Sequence, residues 1–172
     1  MNSGKNVCCF LGHREIEDSE SLRTKISETV EDLILNHNVE TFLFGSRSKF
    51  DNLCRNVVSN LKEKYPNIKR VYVRAEYQEI SEDYEKYLSE KFEETYFPNR
   101  AINSGKAVYT QRNCEMIDES DYCIFYYKKD YLPPERKNSR KDLFMYQPKS
   151  GTGTAYDYAV RKNRKIINVA EY

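Results

Sequence analysis

Asn6-Val7-Cys8-Cys9-Phe10-Leu11 (NVCCFL), closed by Gly12-His13-Arg14, is the stretch that decides the fold. It is short, continuously apolar and bounded by turn residues, so it reads as a strand buried on both faces. Moving outward, Leu22, Ile26, Val30, Leu33 and Ile34 recur at helical spacing between residues 19 and 37, the signature of a helix with one apolar stripe. Residues 41–44 form a second apolar run, closed by Gly45-Ser46. A second helix follows, with Asp51 as its candidate cap and Leu53, Cys54, Val57, Val58 and Leu61 on one face, until Pro66-Asn67 stops it. Residues 68–75 read as a third strand, whose alternation around Val71 and Val73 suggests an outer position. Strand, helix, strand, helix, strand predicts right-handed crossovers in a parallel sheet. With two further strands at 122–127 and 165–169, the expectation is an α/β fold. It is Rossmann-like and three-layered, with a mainly parallel five-stranded sheet and helices on both faces.

The totals bound the function. A chain of 172 residues supports one domain, here 1–172. Charged residues make up 32% but nearly cancel, at a formal +1, which disfavours a protein built to grip a nucleic-acid backbone. No apolar run approaches a membrane span and no basic-then-apolar leader opens the chain, so the expectation is a cytoplasmic protein without membrane contact. The five cysteines (Cys8, Cys9, Cys54, Cys114, Cys123) contain no C-x-x-C pair and have only His13 and His37 beside them, poor material for a metal site. They are expected to be reduced and structural, with no metal and no cofactor. The 15 tyrosines suit a half-wet core, and exposed tyrosine-rich faces hint at a homodimer.

Two segments break the pattern. Residues 76–94 hold eight acidic and two basic residues, with Tyr84, Tyr87, Leu88 and Phe92 at helical spacing. The reading is an acidic helical insertion over 76–97, docked by one face. Residues 128–149 form a long connection with Pro133-Pro134 and the cluster Arg136, Lys137, Arg140 and Lys141. It is either a surface loop or a cationic lid over an anionic ligand.

The chemistry is expected at the carboxyl ends of the strands, where strand order reverses. Gly12, His13 and Arg14 follow the first strand, and Gly45 and Ser46 the second. Ser150, Gly151, Thr152, Gly153 and Thr154 precede a helix that starts near residue 155. Glycines let a backbone approach an anion, free first-turn amides donate to it, and threonine hydroxyls add donors. The same stretch also reads as a plain turn with Thr154 as a helix N-cap. Arg112 and Asn113, on an amphipathic segment over 107–117, suit a phosphate if they lie nearby, although Arg112 also has Glu115 and Asp118 as candidate surface partners. Asp157 falls in the expected first helical turn, placed to favour the dipole or to reach a bound sugar. Neither G-x-G-x-x-G after the first strand nor a G-K-[ST] P-loop is present.

In order, Gly12-His13-Arg14, Gly45 with Phe50-Asp51, Gln111-Arg112-Asn113 with Met116 and Ser120-Asp121, and Ser150-Gly151-Thr152-Gly153-Thr154 resemble the SLOG superfamily. That superfamily groups the Smf/DprA DNA-processing proteins, the LONELY GUY cytokinin-activating enzymes and many small bacterial or phage-related proteins. The likeness is nearest to the short YspA/YpsA-like members. It implies a Rossmann-like fold and a nucleotide-derived ligand such as a nucleotide, ADP-ribose or an NAD-derived molecule; many members are dimers.

In the LONELY GUY enzymes an Arg-Lys arginine and a glutamate in Gly-Gly-x-Gly-Thr-x-x-Glu act in N-glycosidic hydrolysis. Here Arg112 is followed by Asn113, Asp157 stands for the glutamate and Ser150 for the first glycine. The favoured expectation is therefore a sensor or sequestering module. The alternative is an N-glycosidase or phosphoribohydrolase acting on nucleoside monophosphates, with Arg112 and Asp157 catalytic. A DNA-processing type of DNA-binding module ranks third.

Overall fold

Six strands, β1 (Val7–Gly12), β2 (Thr41–Phe44), β3 (Lys69–Val73), β4 (Glu94–Tyr96), β5 (Tyr122–Tyr126) and β6 (Lys165–Asn168), form one sheet in the computed structural model, which describes residues 4–131 and 151–170. Every pairing is parallel, in the order β4-β3-β2-β1-β5-β6. The order therefore reverses between β1 and β5, whose register runs from Cys8 opposite Tyr122 to Gly12 opposite Tyr126. Helices α1 (Glu20–His37), α2 (Lys49–Lys64) and α3 (Glu82–Ser89) cover one face, and α4 (Val108–Asp118) and α5 (Gly151–Arg161) the other.

The side-chain alternation of the strands sorts the core into two halves. Cys8 and Phe10 of β1 join Phe42, Phe44, Ile26, Val30, Phe50 and Val58 on the α1–α2 side, while Cys9 and Leu11 join Leu43, Phe125, Met116, Ile117, Ala155 and Ala159 on the α4–α5 side. Phe10 stacks on Phe44 at 4.9 Å between ring centroids. All five cysteines are buried and free. Among the described residues no helix is long and apolar enough to cross a membrane.

Three expectations change. The sheet has six strands, not five, because the stretch read as an acidic helical insertion contains β4. Within it α3 spans only eight residues, and the chain then returns to pair with β3. Glu93 explains the return. It accepts from Arg70 Nε and Nη2 at 3.1 and 2.9 Å and pairs with Lys62 Nζ at 3.1 Å. Burial works against its charge, but Arg70 and Lys62 overcome that and hold its pKa at about 2.

Second, α2 is capped by Ser48, whose hydroxyl accepts from Asp51 N–H at 3.1 Å, so Asp51 is not the cap but lies three residues inside. Third, α5 begins at Gly151, so Thr154 is within the helix and no acidic residue stands in the first turn. Asp157 is one turn later than the sequence suggested. Ser150 and the basic stretch from 132 onward lie outside the described residues.

Gly12 is a packing glycine. A Cβ there would run into Cγ and Cδ1 of the Phe50 ring and lie 2.8 Å from Phe50 Cβ. Gly12→Ala should lower stability by about 1–3 kcal/mol through overpacking. Adding Phe50→Leu should recover part of that, leaving the double variant less destabilised than the sum of the singles by at least about 0.5 kcal/mol in denaturant unfolding. Strict additivity would contradict the contact.

Candidate functional site

The turn between β2 and α2 is closed by its own chain. Asp51, 3% exposed, accepts through Oδ2 from the amides of Ser46 at 2.6 Å and Gly45 at 3.2 Å. These are the donors expected to face an anion, and Asp51 already occupies them. Ser46 Oγ and Ser48 Oγ bond at 2.9 Å and tie the turn to the helix cap. Among the described residues Asp51 Oδ1 has no hydrogen-bond partner. Burial raises the carboxyl pKa, opposed by the Ser46 amide and the nearby Arg112 charge.

Arg112, from α4, reaches across to the same turn. It is 6% exposed. A Cβ on Gly45 would lie 2.5 Å from Met116 Sδ, 2.7 Å from Arg112 Cδ and 2.9 Å from Arg112 Nε, so glycine there makes room for both side chains against the end of β2. Arg112 Nε donates to Asn113 Oδ1 at 2.9 Å, and the guanidinium sits 5.7 Å from the Tyr109 ring. Among the described residues it makes no other side-chain hydrogen bond and no ion pair. Burial pulls its pKa down and the Asp51 charge pulls it back. An arginine stays protonated at neutral pH under such a shift. The result is a largely buried positive charge whose terminal nitrogens have no anionic partner among the described residues and are not sealed from solvent.

Both groups border one cleft. Phe10, Leu11, Gly12, Gly45, Ser46, Asp51, Arg112, Asn113 and Thr152 line a space of about 60 Å³ at the β1/β5 reversal. That is well below the roughly 300–1,000 Å³ of a pocket for a drug-sized ligand. It fits one compact group. Of the residues proposed from sequence, the cleft brings together Gly12, Gly45, Ser46, Arg112, Asn113 and Thr152.

It does not include the others. Arg14 is exposed at the rim, where its carbonyl accepts from Lys49 N–H. Thr154 and Asp157 border a separate hollow of about 540 Å³, with Val160 and Arg161, on the side of α5 turned from the sheet. Asp157 therefore does not line the cleft that Arg112 borders. Gly151 is exposed and Gly153 is buried in the first turn. Asp51 was underrated in the sequence. Its signal was the Ser48-x-x-Asp51 spacing, a capping pattern that folds a carboxylate back over the preceding turn.

The chain matches no protein-family model and no curated protein. Its fold, a parallel sheet with helices on both faces and a reversal of strand order, is of the kind often used to bind nucleotides and other ligands.

His13 has a different task from the one expected. It is 1% exposed, accepts from Lys128 N–H through Nε2 at 2.7 Å, and stacks on Tyr131 at 3.8 Å between ring centroids. Its Nδ1 is buried without a partner among the described residues. Burial lowers its pKa from 6.5 to about 4, so the ring is neutral and supplies no charge to a ligand. It fastens the exit of β5 to the exit of β1. Below pH 6.5 the unfolded chain takes up a proton that the folded ring refuses until about pH 4. Stability should therefore fall with pH across that window, by up to roughly 1.4 kcal/mol per pH unit from this group. His13→Gln, which keeps an acceptor, should flatten that part of the unfolding profile; an unchanged slope would contradict the assignment.

Proposed function

We propose that this chain binds a nucleotide-derived ligand through a phosphate group, as a sensor or sequestering module of the SLOG type. The observation that carries the reading is the buried guanidinium of Arg112, without an ion pair among the described residues, in a cleft at the strand-order reversal. Guanidinium recognises phosphate oxygens with parallel donors, and the first turn of α5 brings Thr152 and a helix N-terminus to the same cleft. The rest of the ligand extends beyond the cleft, since only one compact group fits inside. Hydrolysis loses support because Asp157 borders a different hollow. A DNA-processing role rests on kinship of fold alone and has no observation of its own.

Calorimetry or thermal-shift titration with nucleoside monophosphates, ADP-ribose and NAD-derived compounds should give saturable binding to at least one of them. Arg112→Ala should weaken it at least about tenfold, since a charged hydrogen bond contributes roughly 1.5–3 kcal/mol. Arg14→Ala should have a smaller effect. Incubation with nucleoside monophosphates should release no free base. A blank panel with folded protein, or binding indifferent to Arg112→Ala, would overturn the reading.

A further inference from the structure

Arg112 belongs to a row on α4 whose burial changes along its length. Residues three and four apart share one face of a helix, so Tyr109, Arg112 and Met116 follow one another on the face turned to the sheet. Met116 is 0% exposed, Arg112 6% and Tyr109 51%. The gradient has a simple origin. α4 joins two parallel strands, β4 and β5, so it runs against them and begins at their carboxyl edge. Tyr109, in its first turn, overshoots the end of the sheet and stands beside the cleft that Arg112 lines. A large aromatic ring on a core-facing row is ordinarily covered. Here the Arg112 guanidinium lies 5.7 Å from the ring centre, and half of the side chain is left open.

We infer that Tyr109 is the platform on which the base of a nucleotide stacks while Arg112 holds its phosphate, so that the site takes nucleoside monophosphates in preference to sugar phosphates. This rests on the anion-cleft reading above and adds a second contact to it. The size of the cleft supports the choice: a space of about 60 Å³ holds the anion alone, and whatever the anion is attached to must leave by the rim. In a nucleoside monophosphate a single ribose separates phosphate from base, a reach that suits two side chains one helical turn apart. Tyrosine offers a flat apolar surface with a polar tip. Stacking on such a ring accepts any base, because every base has a π face. The platform therefore selects for the presence of a base and only weakly for its identity.

Calorimetry on the full chain tests this with ribose 5-phosphate, AMP and CMP. Both nucleotides should bind tighter than ribose 5-phosphate by roughly five- to a hundredfold, the range for one base stacked on an aromatic side chain. Tyr109→Ala, a change at an exposed position, should erase that margin and leave ribose 5-phosphate within about threefold of its original affinity. Tyr109→Phe keeps the ring and should keep the margin. Nucleotides no tighter than ribose 5-phosphate on the unaltered chain, or a margin that survives Tyr109→Ala, would remove the role of Tyr109 while leaving the Arg112 cleft standing. An equal loss of all three probes in Tyr109→Ala would do the same, since the ring would then act only through Arg112. Silence of all three on the unaltered chain would remove both.

Discussion

A buried guanidinium that touches no carboxylate among the described residues is the constraint around which this molecule is arranged. Arg112 and Met116 pack against the end of β2 in the space that Gly45 leaves without a side chain. Its charge is steadied by Asn113, by the face of Tyr109 and, without direct contact, by Asp51. A core selected for stability alone would pair such a charge directly or replace it with an apolar residue. Here Asp51 is bound to backbone amides instead, and Arg112 borders the cleft without an ion pair among the described residues. Departures of this kind concentrate where a protein keeps a function.

The surrounding fold holds the two groups in place. Asp51 stands three residues inside α2, with Ser48 capping the helix and Phe50 beside it packed over Gly12. Arg112 is carried by α4, whose Met116 and Ile117 are fully buried against the opposite face of the sheet. The two sides meet at the reversal of strand order, the natural crevice of a doubly wound sheet. His13 stabilises this rim without entering the cleft. Its neutral ring links Gly12's strand to Lys128 through a hydrogen bond and to Tyr131 through a stack.

Much of this was legible in the sequence, and the parts that were not failed for physical reasons. Strands such as 7–12 and 122–126 are buried on both faces and so appear as continuous apolar runs. β4 is Glu-Thr-Tyr, three residues with no apolar period, and it exists because Glu93 is held by Arg70 and Lys62 from elements distant in sequence. Ion pairs of that kind leave no local pattern. The glycines at the strand ends were visible, but not their neighbours. Gly12 yields to Phe50 and Gly45 to Arg112, so both serve packing first. Asp157 was placed by assuming a later helix start, and an offset of a few residues turned it to another face of α5.

The most direct test of the central claim is to watch the Arg112 side chain itself. With arginine labelled in nitrogen-15, the Arg112 Nε–H and Nη resonances should shift and saturate as ribose 5-phosphate is added, and the Nη protons should exchange more slowly once bound. If the ligand binds elsewhere on the protein while those resonances stay where they were, the guanidinium is not its anchor and the account of the cleft is wrong.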